Sequence, residues 1–167
     1  SAGCFKIVHG GLRYLQHMQF DRLFESAREQ KILRQIAPHL VEPFPFLVPC
    51  YGRGVKGREA MHFGTSLYEI LSSSRNEGVA DSHVLPNHKL LSKKECLEIA
   101  PCLNQEKLRG ALVYYDCQMK SCERLTYSVV ASAKAAGAEV LNYVSVEDFS
   151  FFEENGKRSI EQVGVRD

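Results

Sequence analysis

Apolar positions along this chain follow a helical period in its first half and alternate near its end. From His9 to Gln16 a Gly-Gly pair opens a short stretch with Leu12, Tyr14 and Leu15 at its apolar positions. A long helix is expected over residues 19–37, stopped by Pro38, which cannot continue it. Its early apolar residues, Phe20, Leu23, Phe24 and Ala27, share one face. Ile32, Leu33 and Ile36 fall on the opposite face, while Lys31 and Arg34 occupy the first. Such a pattern predicts that the two halves bury against different neighbours, or that the helix bends.

Residues 45–51 form an apolar strand candidate and 57–71 a loosely amphipathic helix, followed by a polar, turn-rich surface loop over 72–87. Ser92 and Glu95 are spaced as a capping box for a helix running to about Ala100, with Pro101 as its stop. A strand is expected over 110–116. The next helix, over 121–137, carries Leu125, Val129, Ala133 and Ala136 along one stripe suited to packing on a sheet, with Gly137 placed as its C-terminal cap. Residues 139–143 and 144–146 read as a strand after this crossover-like helix. The segments 149–154 and 157–165 flank Asn155-Gly156, a strong hairpin signal. Helices first, then strand, helix, strand and hairpin, predict a mixed α/β (α+β) fold.

With 167 residues, 44% of them hydrophobic and nine Phe and seven Tyr among them, the chain has ample material for a core, which argues against disorder. Lys and Arg total 21 against 20 Asp and Glu, a net charge of +1. That balance argues against nucleic acid as a partner. No apolar run approaches the roughly 20 residues of a membrane-spanning helix. The first residue is Ser1, in a stretch that reads as a loop, so an internal fragment is expected. Cys4, Cys50, Cys96, Cys102, Cys117 and Cys122 have neither the spacing of zinc knuckles nor His partners at ligand spacing. They read as reduced thiols filling apolar space, and no metal site is expected.

Two segments could carry chemistry. Gly52-Arg53-Gly54-Val55-Lys56-Gly57 matches G-x-G-x-x-G, but its preceding strand holds Pro45 and Pro49, and the acidic residue about 20 positions on would be Glu77, inside a loop. A basic turn is the better reading. The second is Lys6-Ile7-Val8-His9-Gly10-Gly11-Leu12-Arg13-Tyr14-Leu15. Two adjacent glycines let backbone approach a flat or phosphorylated ligand. Arg13 offers a planar fork for phosphate or carboxylate, Tyr14 a neutral hydroxyl, and His9 a hydrogen bond to a polar ring edge. The plainer alternative is a helix-entry turn with Arg13 and Tyr14 on its surface. Asp116, after Tyr114-Tyr115, is a candidate functional carboxylate, but a strand-end turn residue is the better reading, and the remaining histidines share no ligand spacing.

The stretch from Lys6 to Gln16 closely resembles the motif of FAD-dependent glycerol-3-phosphate dehydrogenases, within the D-amino-acid-oxidase-like superfamily. The resemblance continues in family order through Arg28 to Leu33, Ala37-Pro38-His39-Leu40, Pro45 to Pro49, Leu90-Leu91-Ser92, Gly110 to Asp116, Arg124-Leu125 and Gly137 to Leu141. It departs at Ala2, Gly3, Cys4 and Phe5, where the family has a Ser/Thr-rich run, and at Lys120 to Glu123, where the family has an acidic pair. The resemblance implies a fragment of an FAD/NAD(P)-binding Rossmann-like domain with a helical and β-hairpin substrate-side part. Residues 1–18 would face flavin and substrate, 19–108 would form the helical part, and 109–167 would return to the FAD domain. Lys6, His9, Gly10, Gly11 and the backbone of Val146 would then lie toward FAD, and Arg13 and Tyr14 toward the substrate. The implied reaction passes a hydride from C2 of glycerol 3-phosphate to flavin, with quinone or oxygen as acceptor. The full-length protein would be cytoplasmic, with peripheral membrane association. The nucleotide fingerprint is expected before Ser1, and the general base after Asp167. The alternatives are another flavin-dependent amine or hydroxy-acid oxidase, or a non-catalytic binding module.

Overall fold

Proline spacing explains the edge of the main sheet. In the computed structural model, which describes residues 4–54 and 57–167, strand β2 (Val41–Tyr51) carries Pro43, Pro45 and Pro49. All three stand at odd positions. Alternate residues of a strand point their N–H groups to the same side, so the three missing donors share one side. Among the described residues β2 pairs only with β4 (Leu108–Met119), which leaves that side unpaired without loss of ladder bonds. Prolines that argue against a central strand are thus accommodated in an edge strand.

Strand β4 is the centre of the sheet. Its other side pairs with β1 (Ile7–Val8) near Cys117 and with β3 (Lys89–Ser92) near Leu112. Every described strand pairing is antiparallel, so the expected strand–crossover–strand unit does not form. Residues 139–144 are not strand. The fold is a mixture of helices and antiparallel strands.

Alternation along β4 gives the sheet two different faces. Ala111, Tyr115 and Cys117 point to one, where Leu40, Val41, Leu85 and Leu125 form one apolar cluster and Cys96 and Leu108 another. Leu112, Tyr114 and Asp116 point to the other. Register places Phe46 opposite Tyr114, and their rings stack with centroids 5.4 Å apart.

Helix α1 (Leu12–Leu15) is one turn long, and α2 (Phe20–Ile36) follows. The buried positions of α2 are Leu23, Ala27, Gln30 and Arg34, one continuous stripe at helical spacing. The expected change of face therefore does not occur. Two polar side chains extend the apolar stripe, and Ile36 is left exposed. Helix α3 (Arg58–Leu71) leads into the segment expected as a free surface loop, and this segment is pinned instead. Ser72, Arg75 and Leu85 are buried there. The Arg34 guanidinium donates to Asn76 Oδ1 at 3.0 Å, to the His83 carbonyl at 3.0 Å and to the Arg75 carbonyl. Helix α4 (Lys93–Ile99) starts on the expected capping box: Glu95 N–H donates to Ser92 Oγ, and Ser92 N–H to Glu95 Oε2.

The chain divides into two compact units, residues 1–125 and 126–167. Helix α5 (Cys122–Ala135) contributes Leu125 to the core of the first. Beyond Leu125 its expected sheet-packing stripe is exposed, Val129 by 54%. The Gly137 and Ala138 N–H groups close the helix on the carbonyls of Lys134 and Ala133, as a C-terminal cap requires. The second unit also holds the hairpin of β5 (Ser145–Glu154) and β6 (Lys157–Arg166), turned at Asn155-Gly156. Both turn residues have positive φ, 53° and 73°, the geometry that Asn-Gly favours. Cys50, Cys96 and Cys117 are buried thiols; Cys4 and Cys122 are half-buried, and Cys102 is exposed rather than filling apolar space.

Candidate functional site

The glycine pair connects β1 to α1, and its conformation comes from contacts far along the sequence. Gly10 N–H donates to Asp116 Oδ1 at 2.7 Å, and the Tyr68 hydroxyl donates to the Gly10 carbonyl at 2.9 Å. The Gln30 amide donates to the Val8 carbonyl at 2.8 Å and to Asp116 Oδ1 at 2.9 Å. A Cβ on Gly10 would stand 2.1 Å from the Tyr68 hydroxyl oxygen and 3.0 Å from Gln30 Oε1, so only glycine admits this close approach. Gly11 lies at φ +87°, a region other residues reach only with strain, and its carbonyl accepts the Tyr14 N–H that begins α1.

Beside this loop lies a cavity of about 470 Å³ lined by His9, Gly11, Arg13, Tyr14, Tyr114 and Asp116, with Leu12, Gln16, Val48 and Met61. Its volume falls in the range of about 300–1,000 Å³ usual for small-molecule sites. His9 and Tyr14 meet edge-on, ring centroids 5.9 Å apart. Arg13 is exposed on α1 and has no carboxylate partner among the described residues, leaving its five donors available to an anion.

Burial sets the protonation chemistry of the wall. Asp116 is only 5% exposed. Loss of water raises its pKa, against the Gly10 N–H, the Gln30 amide and the charges of His9 and Arg75, which favour the carboxylate. Burial, and then the nearby Asp116, push the Tyr68 phenol up to about 12. Tyr114 rises to about 12 for the same two reasons. Both phenols therefore remain hydrogen-bond donors across the physiological range.

Of the residues singled out from the sequence, His9, Gly11, Arg13 and Tyr14 line one cavity, and Gly10 is bonded to a wall residue. Lys6 does not line it: the side chain is exposed, φ is +57°, and the Lys6 carbonyl accepts Met119 N–H at 2.7 Å. Val146 lies in β5, within the second unit, 56% exposed. Of the G-x-G-x-x-G turn, Gly52, Arg53 and Gly54 follow an antiparallel edge strand, while Val55 and Lys56 lie outside the described residues, as do Ala2 and Gly3.

Sequence reasoning missed Gln30 and Tyr68 and ranked Asp116 as a turn residue ahead of a functional one. Asp116 is no turn residue but a buried member of β4, on the same face as Tyr114. The available signal was an acidic residue inside an apolar strand, and a glutamine on the apolar stripe of α2. A second polar cluster also went unseen. Glu69 Oε2 is 2.9 Å from His88 Nδ1, and His88 Nε2 is 2.7 Å from His62 Nδ1. Among the described residues no three His, Cys, Asp or Glu side chains stand together as a metal site.

Comparison with known proteins bears on the same segment. The family model described as FAD dependent oxidoreductase (DAO) matches residues 1–166. A glycerol-3-phosphate dehydrogenase of Synechocystis sp. is 35% identical over 150 residues, covering 90% of this chain and 26% of that protein. An aerobic glycerol-3-phosphate dehydrogenase of Staphylococcus aureus is 34% identical over 146 residues, covering 87% of this chain and 25% of that protein. The X-ray structure of the Bacillus halodurans glycerol-3-phosphate dehydrogenase complexed with FAD superposes with a TM-score of 0.54 at 25% identity. That match covers 98% of this chain and 22% of the other. The chain thus spans about a quarter of the length of the relatives it matches.

Proposed function

This chain belongs to the FAD dependent oxidoreductase (DAO) family, and from that premise we propose that it supplies the substrate-side wall of a glycerol-3-phosphate-oxidising flavoenzyme. The observation that carries the reading is the single cavity that gathers His9, Gly11, Arg13, Tyr14 and Asp116. Its size and its mixture of backbone, aromatic and cationic groups fit a small phosphorylated polyol lying against part of a planar ring. The relatives named for glycerol 3-phosphate support the substrate class.

In this reading Arg13 holds the phosphate with its planar fork, and Tyr14 donates its hydroxyl to a phosphate or glycerol oxygen. His9, edge-on to Tyr14, hydrogen-bonds at the rim between substrate and ring. Gly11 presents bare backbone toward the flavin from the cavity wall, with Gly10 behind it held by Asp116 and Tyr68, and Lys6 is a further cofactor contact. FAD, when bound, supplies the acceptor for the hydride leaving C2, so that glycerol 3-phosphate becomes dihydroxyacetone phosphate. The half-buried side chains of Leu12, Val48 and Met61 give the cavity an apolar wall beside the reacting carbon. A quinone, or oxygen, is the final electron acceptor, and the full-length protein works in the cytoplasm, peripheral on the inner face of the membrane.

The test is steady-state kinetics of the full-length enzyme with Arg13→Ala. Losing a charge-assisted phosphate contact, worth about 1.5–3 kcal/mol, raises KM for glycerol 3-phosphate roughly 10- to 100-fold, and Arg13→Lys recovers part of it. An unchanged KM would remove Arg13 from the phosphate site. Turnover of an amine or a 2-hydroxy acid in place of glycerol 3-phosphate would overturn the substrate assignment.

A further inference from the structure

Three buried or nearly buried polar side chains from three separate elements converge on one glycine. Gln30 comes from α2, Tyr68 from α3 and Asp116 from β4. Gln30 is wholly buried, and Tyr68 and Asp116 are 4% and 5% exposed. The fold has apolar clusters on the other face of β4, where packing requires no such network. Here, beside the cavity, the chain keeps a carboxylate, an amide and a phenol out of water. It even leaves Gln30 Oε1 without a hydrogen-bond partner. Buried polar groups bring specificity of geometry rather than stability, since apolar groups of the same shape serve stability as well or better.

The network grips particular atoms. Gly10 N–H belongs to the peptide plane shared with His9, and the Gly10 carbonyl to the plane shared with Gly11. Asp116 takes the first and Tyr68 the second. Holding two successive planes fixes both torsions of Gly10, the residue type with the widest choice of conformation. Gln30 couples the grip to β1, because one amide group donates both to Asp116 and to the Val8 carbonyl. His9 lies immediately before the gripped unit. Arg13 and Tyr14 follow three and four residues after Gly10, on a helix whose first bond is made by the Gly11 carbonyl.

We propose that Asp116, Tyr68 and Gln30 are positioning residues that lock the Gly10 peptide planes and thereby set where His9, Arg13 and Tyr14 stand in the cavity. The kinetic half of this inference rests on the reading of the cavity as the glycerol 3-phosphate site; the geometric half does not. Tyr68 and Gln30 do not line the cavity and act through the loop, while Asp116 both holds the loop and forms part of the wall. Displacing reacting groups by about 1 Å costs roughly 100-fold in rate. A loosened Gly10 lowers kcat as well as raising KM, because groups on both sides of it shift together. Loss of a phosphate contact alone moves KM.

The experiment compares full-length wild type with Tyr68→Phe, Asp116→Ala and Asp116→Asn, by hydrogen–deuterium exchange over residues 7–15 and by kinetics with glycerol 3-phosphate. Tyr68→Phe removes one oxygen and keeps the ring, so it tests the grip even if Asp116→Ala fails to fold. Tyr68→Phe and Asp116→Ala are expected to speed exchange of the segment about tenfold and to lower kcat/KM about 10- to 100-fold, with kcat reduced. Asp116→Asn, whose side-chain oxygen still accepts Gly10 N–H, restores most of both. Unchanged exchange in Tyr68→Phe would overturn the grip. Faster exchange with unaltered kcat and KM would overturn its positioning role. A wild-type enzyme that ignores glycerol 3-phosphate would overturn the substrate reading instead, and exchange alone would then decide the clamp.

Discussion

Gly10 shows how much one missing side chain can decide. Any Cβ there meets the Tyr68 oxygen at 2.1 Å, so Gly10→Ala must push out either the phenol or the loop. Overpacking together with a lost hydrogen bond predicts a destabilisation of about 3 kcal/mol, measured by urea unfolding. Asp116 predicts a pH dependence of definite sign. Its folded-state pKa is raised, chiefly by burial, so the folded protein binds that proton more tightly than the unfolded chain does. Its contribution to stability is complete below the usual aspartate value of about 3.9 and declines as pH rises through the elevated value. The stability of wild type minus that of Asp116→Asn should therefore fall across this window and then level off. A difference that grows with pH would contradict the burial argument. Neither behaviour was legible in the sequence. Gly10 was singled out for approach to a ligand, yet the groups it meets closely belong to its own chain. Asp116 looked like a turn residue because nothing local tells a buried carboxylate from an exposed one.

Elements were legible where their determinants are near neighbours. The capping box at Ser92 and Glu95, the cap at Gly137 and the Asn155-Gly156 turn each depend on residues within a few positions, and each forms as expected. Helix α2 shows the limit. Arg34 looked like the end of its apolar stripe because its polarity suggested solvent, and Gln30 was not singled out. They continue it because Asp116, the Val8 carbonyl and the 72–87 segment supply partners. The pinning of that segment is testable. Arg34 is 1% exposed and holds it by several charge-assisted bonds. Arg34→Ala leaves the Arg75 and His83 carbonyls without their donor, while Asn76 Oδ1 keeps the Leu85 N–H, so a loss of about 3 kcal/mol is expected. Limited proteolysis should show new cleavage within residues 72–87. Resistance equal to wild type would mean that Asn76 and Arg75 hold the segment without it.

At the scale of the whole molecule the hairpin of β5 and β6 is the outstanding feature. Phe149, Phe151, Ile160 and Val163 alternate onto one face, and each is at least 44% exposed. Two strands alone are marginally stable in water, and an apolar patch of this kind attracts other apolar surfaces. The 167-residue polypeptide is accordingly expected to enhance the fluorescence of a hydrophobic dye, and Phe151→Ser with Ile160→Ser to weaken that signal severalfold. An unchanged signal would place the dye elsewhere. What proximity along the chain was enough to specify includes the helix boundaries, caps and turns, and also the motif from Lys6 to Gln16 by which the family resemblance was read. These depend on torsional preference and short-range hydrogen bonds. The antiparallel order of the sheet, the edge position of the proline-bearing strand and the clamp on Gly10 could arise only from folding. Their contacts join residues 106 positions apart in the clamp, Gly10 and Asp116, and 111 apart in the sheet, Ile7 and Gln118. Over such distances the choice between a buried partner and water depends on which surfaces meet, and pattern along the chain does not encode that.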